Sequence, residues 1–218
     1  MADRQTAGRG RHGRNWISEP GNLYLSILLR PSHWPPDSVS ALPLLAGIAV
    51  AEAASEWGLE ARLKWPNDVV AGERKLAGLL AEASSLGGEV DHVVLGIGVN
   101  LLAAPSGESA TSVQAETGRA VKPDAAAAAV LFACHRCVGE LVPRGSGPIV
   151  AAWRERAVDW IGREVEVVSA GVRVTGRFEG IDDTGALVLA SERGRMRVVS
   201  GEARALRLAG RGAPEEPS

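Results

Sequence analysis

The sequence predicts an α+β fold, in which a mixed, largely antiparallel sheet carries helices on one face and is followed by a small β-barrel. Between residues 62 and 100, β-rich segments follow one another with short turns, which favours antiparallel pairing. The long helical segments are at 38–57 and 124–141, which is enough to cover one face of a sheet. Beyond Trp160, short strand-like runs alternate with turns such as Asp183-Thr184-Gly185, a pattern typical of a small barrel.

The first strand and the first helix are indicated by periodicity and by capping residues. Residues 22–29 alternate so that one face of the predicted strand is buried and carries Leu23, Leu25, Ile27 and Leu29. Asp37 or Ser38 can cap a helix that runs to about Trp57. Within this helix Pro43 fits only in the first turn or at a kink, because proline lacks the backbone N–H.

The rest of the sheet is predicted from β-rich segments and turn residues. Residues 75–84 and 91–100 form a hairpin around Gly87-Gly88. Two shorter strands, at 62–65 and 69–71, precede it. These strands complete the sheet that the two long helices are expected to cover.

The second half of the chain contains a loop, a short helix and the barrel. Residues 103–118, rich in Ser, Gly, Ala, Thr and Pro, predict a mobile loop. A break at 143–148 precedes a short helix at 149–157. The barrel strands are expected at 164–168, 172–181, 186–190, 196–199 and 203–208. The resulting division is a main domain over 1–158, the barrel domain over 159–208 and a disordered tail over 209–218.

The charge distribution favours a small anionic ligand. The formal net charge is -2. In the first sixteen residues, however, Asp3 alone opposes a cluster of Arg4, Arg9, Arg11, Arg14 and His12. A nucleic-acid-binding module is usually basic over a whole face, so no nucleic-acid partner is expected.

No targeting or membrane segment is recognised in the sequence. The most apolar stretch, 41–54, is short and is interrupted by Pro43, Gly47 and Glu52. A cytoplasmic protein without a membrane partner is therefore expected.

Two further residue patterns need an interpretation. Cys134 and Cys137 have Cys-x-x-Cys spacing, which can mark a redox or metal pair. Because no second ligand pair is present and the surrounding run is helical, buried structural thiols are favoured. Lysine occurs only at positions 64, 75 and 122 in an arginine-rich chain, which hints that these positions need an ammonium group.

The stretch from Gln5 to Trp16 is the strongest candidate binding loop. Its glycines permit close backbone approach to a ligand, and Arg9, Arg11 and Arg14 supply positive charge suited to a phosphate. Residues 8–13 also match Gly-x-Gly-x-x-Gly. A dinucleotide site would need a preceding strand and a helix that opens on the last glycine, and neither pattern is present.

Four motifs together resemble the catalytic domain of biotin protein ligases of the monofunctional type, without a DNA-binding module. The motifs are Gln5 to Trp16, Lys64-Trp65-Pro66-Asn67-Asp68, Lys75-Leu76-Ala77-Gly78-Leu79-Leu80-Ala81-Glu82 and Gly96-Ile97-Gly98-Val99-Asn100. Their order and spacing, followed by a barrel-like region, extend the resemblance from about Asp3 to Leu208. The barrel is SH3-like in this family.

The resemblance implies a two-step ligation. The carboxylate of biotin attacks the α-phosphate of ATP, which gives biotinyl-5'-adenylate and pyrophosphate. A lysine of the biotin carboxyl carrier protein domain of acetyl-CoA carboxylase or a related carboxylase then attacks the adenylate. Mg²⁺ is the implied metal, and the enzyme is expected to be a monomer or weak homodimer that binds no operator.

The resemblance also implies roles for individual residues. Biotin would be bound by Gln5, Gly8, Arg9, Gly10, Arg11, Trp16, Lys75 and Gly78. ATP or the adenylate would be bound by Arg9, Arg11, Lys64, Asn67, Lys75, Asn100 and Arg207. The catalytic residues would be Lys75, Arg11 and Asp68, and Asp68 would also hold Mg²⁺. Alternatively, Asp68 is only a turn former.

The sequence departs from the family at its beginning. Family members carry an upstream segment with a Ser-Thr pair that meets the ureido group of biotin, and we expect this segment to lie upstream of Met1. Two alternatives stay open: a lipoate ligase or lipoyl/octanoyl transferase of the same fold, and a truncated biotin-binding module without turnover. The double-arginine loop and Lys-Trp-Pro-Asn-Asp favour biotin.

Overall fold

A computed structural model describes residues 1–206 apart from 32, 36, 107–108, 170 and 193. A 3-10 turn at Arg11–Gly13 precedes β1 (Leu23–Leu29), α1 (Ser38–Glu56), β2 (Arg62–Lys64), β3 (Asp68–Ala71), β4 (Arg74–Leu86) and β5 (Glu89–Val99). These are followed by α2 (Val113–Thr117), α3 (Pro123–Arg144), α4 (Gly147–Arg156), β6 (Glu164–Ser169), β7 (Val172–Ile181), β8 (Leu187–Ser191), β9 (Gly194–Val198) and β10 (Glu202–Ala205). The predicted α+β fold class is confirmed.

The first sheet brings the site motifs into one row. Its strand order is β1-β5-β4-β3-β2, and all its strand pairs are antiparallel. Direct register partners link Lys64 to Asp68, Asp68 to Gly78, Gly78 to Gly98, and Gly98 to Tyr24. Because directly opposed residues share a sheet face, motifs that are far apart in sequence meet across five strands.

α1 is the central helix of the core. It is apolar on most sides, and residues such as Leu45, Ile48 and Ala49 are almost completely buried between the sheet, α3 and α4. Pro43 lies inside the helix.

Two helices are long and apolar enough to cross a membrane by length and composition alone. They are Ser38–Glu56 and Pro123–Arg144, and 72% and 39% of their apolar windows are buried. The second helix lies outside the 41–54 stretch from which no membrane span was expected. The burial of α1 is that of a core helix.

The C-terminal region is a second antiparallel sheet with the order β10-β6-β7-β8-β9. It packs against the first domain through polar and aromatic contacts. Trp65 Nε1 donates a hydrogen bond to the Gly185 carbonyl at 3.0 Å, and Lys64 Nζ lies 5.5 Å from the centroid of the Trp160 ring. The predicted tail lies outside the described residues.

The segment predicted as a mobile loop at 103–118 contains ordered structure. Its second half holds α2, and Thr111, Ser112 and Val113 are buried. The Ser112 hydroxyl caps α2 by accepting a hydrogen bond from the Ala115 N–H at 3.2 Å. Here a small polar residue, Ser112, caps a helix. Composition alone cannot distinguish such a cap from a loop, because the same residue types are common in both.

Candidate active site

Residues 8–16 form a tight hairpin at one end of the cavity described below. The Gly10 N–H donates to the Arg14 carbonyl at 2.7 Å, and the Trp16 N–H donates to the Gly8 carbonyl at 2.9 Å. At the tip, His12 has a φ of 56°, a left-handed conformation that is unfavourable for a residue with a Cβ. The hydrogen bonds on both sides hold this turn and thereby fix where Arg9, Arg11 and Arg14 leave the backbone.

Two opposed glycines support the Trp16 indole. Gly78 and Gly98 are direct register partners on β4 and β5, and a Cβ on either would lie 2.7 Å from the Trp16 ring. The ring therefore lies in the space that these glycines leave open. Trp16 Nε1 is buried, with no hydrogen-bond partner among the described residues, so an acceptor on a ligand would satisfy it.

We expect Gly98→Ala to displace Trp16 from the glycine pair, because the new methyl would lie well inside contact distance. The measurement is fluorine NMR of the ligand-free protein with fluorinated tryptophan, in which the Trp16 resonance is assigned by Trp16→Phe. Gly96→Ala is the matched control on the same strand, since its Cβ would meet the Leu80 carbonyl at an ordinary 3.5 Å. Equal shifts in both variants would contradict the glycine-pair contact.

Lys75 lies between a carboxylate and the Trp16 ring. Its Nζ is 2.6 Å from Asp68 Oδ1 and 5.4 Å from the centroid of the Trp16 ring. The backbone of Lys75 is also held in place, because its carbonyl accepts hydrogen bonds from the Thr111 N–H at 2.9 Å and from Asn100 Nδ2 at 3.5 Å. The ammonium is thus held near the cavity by hydrogen bonds to the Lys75 backbone as well as by its side-chain contacts.

Arg11 connects the hairpin to both domains. Its guanidinium donates to the Gly201 carbonyl at 3.0 Å and to Asn67 Oδ1 at 3.4 Å. Asn67 is itself held by β4, since its Nδ2 donates to the Leu79 carbonyl at 2.7 Å. Burial lowers the pKa of Arg11, and the nearby Asp68 carboxylate partly opposes this effect.

The two other arginines of the hairpin make ion pairs that hold it over the sheet. Arg9 pairs with Glu82 of β4 at 2.8 Å, and Arg14 pairs with Glu202 of β10. The side chains of Arg9 and Glu82 are 71% and 43% exposed, so this pair contributes little to stability.

These elements enclose a cavity of about 340 Å³. The predicted biotin and nucleotide residues that line it are Gln5, Arg9, Gly10, Arg11, Trp16, Asn67, Lys75 and Gly78. Gly8 is not among the lining residues; it lies at the base of the hairpin, where a Cβ would be 2.5 Å from the Trp16 carbonyl oxygen. The cavity combines a cationic end with an apolar sheet face, which suits a ligand that has an apolar body and an anionic group.

Comparison with known proteins decides the family. Residues 1–100 match the Biotin/lipoate A/B protein ligase family, and residues 160–203 match the Biotin protein ligase C terminal domain. The chain is 38% identical over 212 residues to a biotin--[acetyl-CoA-carboxylase] ligase of Paracoccus denitrificans, covering 93% of this chain and 88% of the relative. The chain belongs to the biotin protein ligase family.

Other relatives are consistent with this family assignment. A bifunctional ligase/repressor BirA of Escherichia coli is 33% identical over 195 residues, which cover 87% of this chain and 60% of the relative. A biotin protein ligase from Aquifex aeolicus, solved in complex with biotin and ATP, superposes with a TM-score of 0.82. That structure is 31% identical, and the match covers 94% of this chain and 87% of the other.

Among the predicted site residues of the ligase, Asp68 does not line the cavity but pairs with Lys75. Three others lie elsewhere or are not described. Lys64 does not line the cavity; its Nζ lies 5.5 Å from the centroid of the Trp160 ring, and burial lowers its pKa. Asn100 is buried behind Lys75 and donates to the Thr111 carbonyl at 3.0 Å. Arg207 lies outside the described residues. Their contacts with the nucleotide stay predictions.

The cavity of the ligase also contains residues that the sequence did not assign. Glu82, Gly98 and Tyr24 line it, and Glu202 holds the hairpin from outside. Gly98 belongs to one of the four motifs but was given no role, although a glycine inside a strand can mark close approach by a ligand or another part of the chain. The Cys134 and Cys137 thiols are buried, and burial raises the pKa of Cys134 to about 12.

Proposed function

We propose that this ligase activates biotin as biotinyl-5'-adenylate and transfers it to a lysine of a carrier protein. One observation carries the proposal: Lys75 and Arg11 line the same cavity. The apolar side of this cavity is the sheet face at the pair Gly78 and Gly98. The names of the relatives favour biotin over lipoate as the acyl substrate. Lys75, Arg11 and Asp68 are the proposed catalytic residues.

In the first step, a carboxylate oxygen of biotin attacks the α-phosphorus of ATP. The bond from that phosphorus to the bridging oxygen breaks, and pyrophosphate leaves with the electron pair. Two anions approach each other, so fixed cations at the point of attack lower the barrier. Lys75 is a compact ammonium that can contact both groups, and Arg11 offers N–H groups to the phosphate oxygens.

In the second step, the amine of the acceptor lysine attacks the carboxyl carbon of the adenylate. The bond from this carbon to the phosphate oxygen breaks, and AMP leaves. The amine must lose a proton, and Asp68 offers a carboxylate at the edge of the site. Asp68 pairs with Lys75 at 2.6 Å, so contact between Lys75 and the adenylate would release the carboxylate for this role.

Magnesium fits the residues present only as a substrate-bound ion. Among the described residues there is no cluster of three or more His, Cys, Asp or Glu that could hold a metal. Mg²⁺ usually keeps several waters and is bound by one or two carboxylates together with substrate phosphates. Asp68, with the amide oxygen of Asn67 nearby, is the proposed protein ligand of the Mg·ATP complex.

The proposed partner is the biotin-accepting domain of acetyl-CoA carboxylase or a related carboxylase. Relatives from Paracoccus denitrificans and Mycobacterium tuberculosis carry acetyl-CoA-carboxylase in their names. A cytoplasmic monomer or weak homodimer that binds neither nucleic acid nor membrane is the proposed state of the enzyme.

The decisive experiment is biotin-dependent exchange of labelled pyrophosphate into ATP, followed by transfer to a purified biotin-accepting domain. Exchange and transfer are both expected. Exchange with lipoate or octanoate in place of biotin would instead support the alternative acyl substrate. Biotin binding without exchange would support a binding module that lacks turnover.

Ligand binding is expected to protect the hairpin at 8–16 and the segment at 103–118 from amide hydrogen exchange. The hairpin has three backbone hydrogen bonds of its own among the described residues, and a bound adenylate would add further contacts to it. Mass spectrometry with and without biotin and a nonhydrolysable ATP analogue measures the difference. Residues 44–51 of the buried helix α1 are the internal reference, and equal protection at 8–16 in both states would refute closure.

A further inference from the structure

A second cavity lies on the other side of the hydrogen bond from Arg11 to Asn67. It has a volume of about 370 Å³, and its apolar walls include Pro43, Leu44, Trp65, Leu80 and Val199. Arg11, Asn67, Leu79 and Leu80 line this cavity and the biotin cavity alike. The two spaces therefore meet where the reacting groups are proposed to lie.

The walls of the second cavity are fixed to one another by contacts outside the biotin cavity. Trp65 Nε1 donates to the Gly185 carbonyl at 3.0 Å, which joins the β2–β3 turn to the C-terminal sheet. A Cβ on Gly185 would lie only 2.9 Å from Leu44 Cδ1, so α1 and the β7–β8 turn are in close contact. The cavity is thus a feature of the junction between the two domains.

The chemistry of the lining selects the occupant. Among the described lining residues, Arg11 alone is charged, and it lies where the two cavities meet. Pyrophosphate in this cavity would have one cationic neighbour, Arg11, and otherwise mainly apolar walls. Such surroundings are energetically unfavourable for a multiply charged anion. The tetramethylene stem of a lysine is compatible with apolar walls. A cation at the inner end also favours the neutral amine, the nucleophilic form, over the ammonium ion.

We propose that the second cavity is the channel through which the acceptor lysine of the carrier protein reaches the adenylate. The inference rests on the proposed function and adds a route to it. The lysine stem lies between α1 and the C-terminal sheet, and the nitrogen emerges beside Arg11 and Asn67. The nitrogen then bonds to the carboxyl carbon, AMP leaves with the electrons of the carbon–oxygen bond, and one amine proton passes to Asp68.

The test is to fill the channel from two sides with Ser40→Trp on α1 and Val199→Trp immediately after β9. Ser55→Trp and Val172→Trp are matched controls: Ser55 is exposed on the same helix, and Val172, like Val199, is exposed in the C-terminal region. Three rates are measured for each variant. They are biotin-dependent pyrophosphate exchange, transfer of preformed adenylate to the biotin-accepting domain, and transfer of the same adenylate to hydroxylamine, which needs no channel.

For both channel variants we expect kcat/KM for the biotin-accepting domain to fall at least about tenfold, with exchange and hydroxylamine transfer within about twofold of the unmodified ligase. The controls should retain all three rates. Unchanged carrier transfer in both channel variants would overturn the channel, as would a parallel loss of hydroxylamine transfer. Absence of exchange in the unmodified ligase would instead overturn the proposed function, and the channel with it.

Discussion

Lys75→Ala is expected to slow biotinyl-adenylate formation by about 10²- to 10³-fold, the usual effect of removing one preorganised group that stabilises transition-state charge. Lys75 Nζ is held by Asp68 at 2.6 Å and by the face of Trp16. Its position therefore exists before the substrates arrive, and alanine would remove the one ammonium that lines the described cavity. Single-turnover formation of adenylate from biotin and ATP measures the effect.

The controls for Lys75 separate charge from geometry and from general damage. Lys75→Arg keeps the positive charge but replaces a compact ammonium with a larger, planar guanidinium group. We therefore expect the rate of adenylate formation to recover only in part. Lys122→Ala removes an exposed lysine at the start of α3, away from the cavity lining, and should leave the rate unchanged. A Lys75→Ala enzyme with a rate close to that of the unmodified ligase would refute the catalytic assignment.

The sequence predicted the strands and long helices because their residue patterns are local. The alternation in β1 and the Gly87-Gly88 turn depend on neighbours within a few residues. The predicted side-chain cap of α1 was wrong, because the Asp37 carboxylate accepts from the distant Ser146 N–H at 2.9 Å and makes no capping hydrogen bond. The motif residues Lys75, Arg11 and Asn67 were also predicted to share a site, and the strand register brings them together. That part of the prediction came from family resemblance, because no local pattern reports a contact between residues 11 and 67.

The remaining features depend on contacts between distant segments. The Gly78 and Gly98 pair is set by the register of β4 and β5, and the Arg14–Glu202 ion pair joins residues at opposite ends of the described chain. The helix at 113–117 lies in a segment, 103–118, that has the composition of a loop. The helix is stabilised by the Ser112 cap and by the burial of Val113. Burial and long-range pairing are not visible in residue periodicity.

Arg11→Ala is the second large effect, and it is expected to act on both steps. The guanidinium bridges the hairpin, Asn67 and the Gly201 carbonyl, so alanine removes phosphate-binding N–H groups and leaves the Arg14–Glu202 ion pair to join the hairpin to the C-terminal domain. We expect adenylate formation to slow by about 10²-fold, as for loss of a transition-state donor. The adenylate that does form should dissociate faster, because the hairpin that covers it is held less firmly.

The escape of the intermediate gives a readout that a general loss of stability would not produce. Free biotinyl-adenylate acylates exposed lysines, so labelling of an added bystander protein, divided by labelling of the biotin-accepting domain, should rise in Arg11→Ala and in Arg11→Gly. Arg4→Ala is the control, since Arg4 is an exposed arginine of the same N-terminal segment that does not line the cavity. An unchanged labelling ratio in the Arg11 variants would mean that another group retains the adenylate. The contact of Arg11 with Gly201 would then position the C-terminal domain without closing the site.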